Sequence, residues 1–315
     1  MIRTLIIYES KYGFTEGISK DLAMVLGPAN ICRTNEFKSF YKEFDLFVIC
    51  APIYEERINQ DISAFVKENS EWMKHKKVVL LCSSLSAKAY EKYLKELKDI
   101  LGSSVIFQSS IGGVINLDKL HSEDYKKMKE FSKKVRLPFK SYDAFNKNEF
   151  VDVALKIKEI KDTKIKPSMD KKELKKYIDE FLKAHNTCCL CTAHRDSVRS
   201  TPIEYLYIDD KLYFISEGGE KFAHLLLNDR VSISIYEPFK AMNKLAGMQI
   251  EGTASLVEMN SKEYIEVLEN RGLKYDQLVN LPIRMNVIKV SVQSIEFLWS
   301  NFKALGYEAK QVYSK

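Results

Sequence analysis

The chain has no long apolar run. Nowhere do hydrophobic residues approach the ~20 in succession that a membrane-spanning helix needs, so no membrane partner is expected. Met1 leads straight into a β-like run with only Arg3 nearby, and no small-residue cleavage site follows. A secretory leader is therefore not expected, and a cytoplasmic location is. Cysteine is sparse: six residues in 315 (Cys32, Cys50, Cys82, Cys188, Cys189 and Cys191), most of them inside apolar runs. That fits reduced, buried thiols better than a disulfide framework. The net charge of +6 is spread over both halves and forms no basic tail, which gives nucleic-acid binding little support. Two common nucleotide-loop signatures are also missing, Gly-Lys-Ser/Thr and Gly-x-Gly-x-x-Gly.

What is present describes a globular protein of two domains, from its length, 45% hydrophobic residues and 29% charge. In the first half, Thr4–Tyr8, Asn30–Arg33, Leu46–Ala51, Lys77–Ser83 and Ser104–Ile111 read as strands. Three of these are almost continuously apolar, as parallel strands covered on both faces are. Glu16–Leu26, Asp61–Asn69, Lys88–Leu101 and Asn148–Ile160 carry helical spacing between and after them. The alternation predicts an α/β, doubly wound parallel sheet, whose ligands bind beyond the carboxyl ends of the strands.

Three loops leave those ends. The first, Glu9-Ser10-Lys11-Tyr12-Gly13-Phe14-Thr15, follows an apolar strand and runs at once into a helix. Ser10 and Thr15 offer hydroxyl donors, Gly13 permits close backbone approach, and the first helical turn aims unpaired N–H groups outward. Such a loop can hold a phosphate without a cation; taken alone it fits an ordinary strand–turn–helix connection equally well. It resembles the phosphate loop of flavodoxin-like proteins, where the bound monophosphate belongs to FMN. The second, Ala51-Pro52-Ile53-Tyr54-Glu55-Glu56-Arg57, resembles the segment those proteins place against the isoalloxazine ring, with Tyr54 as the stacking aromatic. The third, Ser83-Ser84-Leu85-Ser86-Ala87, could bond the ring edge through its backbone. Gly112-Gly113-Val114-Ile115-Asn116-Leu117 and an inserted helix over Ser122–Val135 resemble the flavodoxin subgroup that includes the menaquinone-coupled protoporphyrinogen oxidase. This resemblance covers about the first 160 residues and implies strand order 2-1-3-4-5. The basic stretch from Lys119 to Lys147 reads as a solvated helix face; the same composition would suit a surface for an acidic redox partner.

Lys161-Asp162-Thr163-Lys164-Ile165-Lys166-Pro167-Ser168 reads as an interdomain junction, with domain limits at 1–163 and 170–315 and a linker over 164–169. Ser168 is the expected N-cap of a helix over Lys171–Ala184. Short strands follow: Cys188–Thr192, Val198–Tyr207, Lys211–Ile215, Val231–Tyr236, Met248–Val257 and Val287–Trp299. They predict a mainly-β small barrel. Alternation puts Cys189 and Cys191 on one strand face and Cys188 on the other, so buried strand cysteines are expected there and no metal site. His194, at a turn, and His224, on a helix, read as solvent-facing or structural, and Trp299 as filling the barrel end.

His194–Pro202, Leu212–Leu225, Asn228–Ser234 and Gln249–Ala254, in that order, resemble the pyridoxamine 5′-phosphate oxidase-like split barrels over roughly Met169–Tyr313. The resemblance places FMN contacts at Arg199, Ser200, Thr201, Ser216, Lys221 and Gln249. Phe222 stands where the family usually has a second cation. Independently of the family, Ser216 at a strand end can donate to a phosphate oxygen, and Lys221 adds charge at a helix start. Arg199 and Thr201, two apart on a strand, share a face. Together the two resemblances imply an FMN-dependent oxidoreductase with up to two FMN per chain. It would be a homodimer through the split barrel and would pass electrons from a small-molecule donor to a small-molecule acceptor. The alternatives are a non-catalytic flavin electron carrier and a tetrapyrrole enzyme acting on protoporphyrinogen or haem. No catalytic acid or base is marked in the sequence.

Overall fold

The three central strands of the first half are buried on both faces because their neighbours in sequence are helices that cross over the sheet, while the two edge strands are half-buried. A computed structural model describes residues 1–86, 89–275 and 282–315. They form two compact units, Met1–Lys166 and Pro167–Lys315.

The first unit runs β1 (Thr4–Tyr8), α1 (Phe14–Val25), β2 (Ala29–Arg33), β3 (Leu46–Tyr54), β4 (Arg57–Ile58), α2 (Gln60–Met73), β5 (Lys77–Ser84), α3 (Tyr90–Leu101), β6 (Val105–Gly112), β7 (Val114–Ile115), α4 (Ser122–Val135), β8 (Tyr142–Asp143) and α5 (Lys147–Lys164). The parallel order is β2-β1-β3-β5-β6. Counting parallel strands alone, that is 2-1-3-4-5. Alternate strand residues sort to opposite faces. Leu5, Ile7, Phe47, Ile49, Val78 and Leu80 pack under α2 and α3. Ile6, Tyr8, Val48, Val79 and Leu81 pack under α1 and α5.

Several expectations are corrected. β3 does not stop at Ala51; it continues through Pro52 to Tyr54 and folds back as a hairpin onto β4. Its two turn residues, Glu55 and Glu56, have φ of 49° and 63°, the positive values a two-residue type I′ turn demands. The expected loop is therefore mostly strand. Lys161–Lys164, read as junction, are the last turn of α5. Lys161 is buried, and its ammonium donates to the carbonyls of Leu26 and Gly27 at the end of α1, where a cation meets the negative helix end. Ala87 and Lys88, placed in the third loop and at the start of its helix, lie outside the described residues.

The second unit runs α6 (Lys171–Ala184), β9 (Thr187–His194), β10 (Ser197–Glu204), β11 (Leu206–Ile208), β12 (Lys211–Ser216), α7 (Glu220–Leu225), β13 (Arg230–Tyr236), β14 (Ala246–Leu256), α8 (Lys262–Asn270), β15 (Asn286–Trp299) and β16 (Lys310–Ser314). All strand pairs are antiparallel, in the order β10-β9-β13-β14-β15-β12-β11, with β16 added on β15. This is a curled half-barrel. Leu174, Ile178, Phe181 and Leu182 of α6 seal its core together with Leu190, Ile233, Ile250, Phe297 and Phe302. Asp170, not Ser168, caps α6, accepting from the N–H groups of Lys172 and Glu173. The strand expected over Val198–Tyr207 breaks at Tyr205, whose buried hydroxyl donates to Leu182 O at 2.9 Å. β16 was not foreseen. The six cysteines are free, and burial pushes the Cys32, Cys50, Cys82 and Cys188 thiols up to about 12. Cys189 and Cys191 are half-exposed on the face opposite Cys188. No helix among the described residues is long and apolar enough to cross a membrane.

The Gly112-Gly113 pair is dictated by backbone contact. A Cβ on Gly112 would stand 1.7 Å from the Ala144 carbonyl oxygen, and one on Gly113 would stand 3.1 Å from the Ser84 carbonyl carbon. Gly113 donates to Ser84 O at 2.8 Å and accepts from Ala144 N at 3.0 Å, so this crossing ties β5 to the return strand β8. Gly112→Ala is expected to cost on the order of 2–3 kcal/mol, because backbone rather than a side chain must move. Urea unfolding of the full chain checks this; an unchanged midpoint for the first unit would refute it.

Candidate functional site

Each unit gathers polar groups at one place. In the first, β1 ends and Gly13 takes φ 84° as the N-cap residue of α1. That left-handed turn is open to glycine and costs other residues. It leaves the N–H groups of the first turn, Phe14 to Glu16, without intrahelical acceptors. Thr15 and Ser83, both buried, share a hydrogen bond of 3.0 Å between hydroxyl oxygens. The loop after β1 and the end of β5 therefore meet there. Pro52, buried in β3, pairs in register with Ser83, which brings in the third strand end. Ser10, in the loop after β1, is buried, and its carbonyl accepts from Arg33 Nη1 at 3.2 Å.

The cations nearby are already matched. Arg33 pairs with Glu9 at 3.3 Å and Glu16 at 3.2 Å, and its guanidinium lies over the Tyr8 ring. Lys11 pairs with Asp124 of α4 at 2.6 Å. What remains for an anion is mainly neutral: amide N–H groups and hydroxyls.

The other expected residues divide. Tyr54 spans from the second loop to the first, its hydroxyl accepting from the Lys11 N–H at 3.1 Å. Its ring is one-third exposed. Tyr12 points away from the hydroxyl pair: its phenol donates to Asp124 and accepts from the His121 N–H at 3.2 Å. Phe14 packs edge-on against Phe145. With their side chains engaged there, only the backbones of Tyr12 and Phe14 are available to an anion at this loop. Ser84 spends its hydroxyl on Ser86 O. Asp124 was missed by sequence reasoning. Burial raises its pKa, but hydrogen bonds from Lys11 and Tyr12 outweigh that and hold it below the usual carboxylate range. Its sequence signal, one of three acids in a basic helix over a hundred residues from the loop, could not have singled it out.

In the second unit, Ser216 ends β12, and Gly219 takes φ 111° just before α7. Lys221 is buried and donates to Gly218 O at 2.6 Å. The Ser216 hydroxyl lies 3.2 Å from the same oxygen. Arg199, from β10, reaches α7 by an ion pair with Glu220. A second cation thus stands near Lys221 in space, although Phe222 follows it in sequence. Burial lowers the Lys221 pKa from its ordinary 10.5; the Arg199 charge lowers it further and Glu217 opposes. Thr201, on the same β10 face as Arg199, has a buried hydroxyl oxygen with no hydrogen-bond partner among the described residues. Buried orphans of this kind call for an explanation, and an incoming acceptor supplies one.

Register separates the remaining residues. Arg199 pairs with Thr192, and Thr201 with Leu190, both buried. Ser200 pairs with Cys191 and lies on the outer face. Gln249 pairs with Ser234, which pairs with Cys189, placing it on that outer face too. Ser200 and Gln249 therefore do not join the Arg199, Thr201 and Lys221 group within one chain. Of the two expected roles for His224, solvent-facing or structural, its burial matches the structural one. Its Nδ1 is 3.1 Å from Thr192 Oγ1 and its Nε2 is 3.4 Å from Ser197 Oγ, so α7 is pinned to β9 and β10.

Comparison with protein families matches residues 5–138 to a flavodoxin domain. Residues 174–299 match the pyridoxamine 5′-phosphate oxidase family. The chain is a flavodoxin-like domain fused to a pyridoxamine 5′-phosphate oxidase-like split barrel, two families that typically bind flavin. Comparison with curated proteins gives no match. Among solved structures, the haem storage protein HutZ from Vibrio cholerae is 19% identical, over 38% of this chain and 90% of its own, with TM-score 0.33. An FAD-binding protein from Mesorhizobium loti is 18% identical, over 41% and 94%, with TM-score 0.31. General Stress Protein 26 from Bacillus anthracis str. Sterne is 17% identical, over 45% and 99%, with TM-score 0.33.

The state of Lys221 would make the binding of an anion there pH-dependent. A bound phosphate monoester stabilises the ammonium and raises the depressed pKa. Affinity is therefore full below the ligand-free pKa of Lys221 and falls as pH rises through the window up to the bound-state value. Titration calorimetry of FMN across the alkaline range should show this fall together with proton uptake. Lys221→Met should remove both, and persistence of both in that variant would reject the assignment.

Proposed function

We propose that the protein is an FMN-dependent oxidoreductase that holds one FMN in each unit and passes electrons between the two flavins to a small-molecule acceptor. The observation that carries this reading is the Thr15–Ser83 hydroxyl pair set over the first turn of α1. It offers neutral donors from two strand ends to a monophosphate, while the neighbouring Arg33 and Lys11 are compensated by carboxylates.

The residues present fit the group. In the first unit, Ser10, the Thr15 and Ser83 hydroxyls and the amides following Gly13 would hold the phosphate, with Pro52, Tyr54 and the Ser83 backbone beside the ring. In the second, Lys221, Arg199, Ser216 and the orphaned Thr201 hydroxyl would hold the tail. The isoalloxazine supplies the electron chemistry when bound; the chain's task is to bind, orient and shield it. Charge-assisted contacts to the tail are the strongest available here. A homodimer built on the outer face of the half-barrel accompanies this reading. That face carries Ser200, Cys189, Cys191, Ser234 and Gln249, with Val198 and Tyr236 exposed at its edges, and a second copy seated there would bring Ser200 and Gln249 into a flavin site.

The test is the FMN-to-chain ratio of purified protein, read from released flavin, with NADH or NADPH and quinone or nitroaromatic acceptors then assayed for turnover. Thr15→Val should empty the first site and leave the second filled. Lys221→Ala should weaken the second by about 1–3 kcal/mol, the range for a lost charged hydrogen bond. Colourless protein that takes up no added FMN would overturn the reading.

A further inference from the structure

The helix α4 has two faces of opposite employment. Its inner face carries Asp124, Met128, Phe131 and Ser132, the half-buried and buried positions of the helix. Through Asp124 it is fixed to Lys11 and Tyr12 of the loop after β1. His121, at its N-cap, adds a backbone bond to the same Tyr12. The opposite face carries Lys126, Lys129 and Lys133, at spacings that stack on one stripe of a helix. Lys134 and the C-cap Arg136 extend it. All five are exposed, and none forms an ion pair among the described residues. Lys127, by contrast, is occupied by Glu123 at 2.9 Å. Glu130 is the one acid of the helix that no cation neutralises among the described residues. Exposed Tyr125 and Leu137 border the stripe.

We infer that this outer face of α4 is a docking surface for an acidic one-electron carrier protein that exchanges electrons with a flavin at the adjoining loop. The inference rests on the flavin reading given above. Three features point to a protein partner. The cations are uncompensated where every cation at the loop itself is paired. Apolar groups lie beside them, the mixture that protein interfaces use. Glu130 interrupts the stripe, which suits a patterned acidic surface and opposes a uniform polyanion such as a nucleic-acid backbone. The stripe is short, about 10 Å from Lys126 to Lys133 at the rise of a helix, matching a small acidic patch. The Asp124 contacts make docking and flavin loop neighbours through a single helix diameter. Each encounter moves one electron from the partner's reduced centre to the flavin; two encounters complete the reduction, and the protons come from water.

The experiment uses the full-length, flavin-loaded protein and a reduced plant-type iron–sulfur ferredoxin as the acidic probe, with flavin reduction followed by stopped flow. The second-order rate should fall at least tenfold between about 50 and about 500 mM salt, as steered encounters do. The variant K126E/K129E/K133E should lose at least tenfold at low salt and most of its salt dependence. Its flavin content and its reduction by dithionite should match the parent, since these side chains hold no part of the fold. A protein without flavin would overturn the underlying reading instead, and the content measurement tells the two failures apart. A rate indifferent to salt, or a variant as fast as the parent, overturns the docking surface. So does a DNA duplex bound by the parent and lost by the variant while the ferredoxin rate is unchanged.

Discussion

The hydrogen bond between Thr15 and Ser83 is the constraint on which the first unit's site depends. Thr15 sits in the first turn of α1 and Ser83 near the end of β5, 68 residues apart. Their hydroxyls meet only because β1, β3 and β5 are adjacent and parallel, with Pro52 of β3 registered against Ser83. Two buried hydroxyls joined to each other satisfy one another with a single proton, which leaves the second hydroxyl proton and several lone pairs to be placed. A pair of this kind is adaptable: either oxygen can serve as donor to a third group without any side chain moving. The fold thus holds a neutral, reorientable donor set where the strands end, and the glycine crossing at Gly112-Gly113 keeps β5 and β6 in the register that permits it.

Charge is arranged on a different plan from hydroxyls. Arg33, Lys11 and Arg199 each meet a carboxylate, and Lys221 meets a carbonyl. An anion arriving at either site therefore gains less from these cations than their count implies, because it competes with ligands already in place. Of the four, Lys221 is the exception in kind. A carbonyl is a weaker counterpart than a carboxylate, burial already disfavours the ammonium, and a phosphate would relieve that penalty. At the first site both cations meet acids; at the second Arg199 meets Glu220, while Lys221 stays buried against a carbonyl.

Much of this was legible in the sequence, for physical reasons. Continuous apolar runs as short as Leu46–Ala51 suit strands covered on both sides better than helices, and their alternation with helices points to a parallel sheet. The limits of α4, Ser122–Val135, follow from the resemblance to the flavodoxin subgroup, and the structure has the helix over those residues. The errors have causes too. The β3–β4 hairpin has no clear signal in the sequence, because Glu55-Glu56 is not a favoured type I′ pair; the strands impose that turn on unfavourable residues. Lys161 looked like junction because a lysine in a charged stretch gives no sign that two carbonyls wait for it 134 and 135 residues earlier. Gln249 and Arg199 were placed in one site by likeness of segments, and strand register separates them within the chain. The role of Asp124 lay entirely in long-range contact.

That contact changes how the insertion should be regarded. A helix inserted between the last strand and the last helix of the sheet could have been a solvated appendage. Here its first turn supplies the counter-charge to Lys11 and an acceptor to Tyr12, and it does so at some cost, since burial opposes the Asp124 charge. A carboxylate held ionised against burial beside the loop after β1 raises the local negative potential there. Lys11 offsets it only while the ion pair lasts. Any movement of α4 would therefore alter the charge felt at the loop, through both partners at once. The outer lysines lie on that same rigid helix. A charge arriving on the outer face acts on a body whose inner face already shares its hydrogen bonds with the loop. Position and potential at the loop are linked to the state of α4 by that geometry, whatever partner the outer face receives.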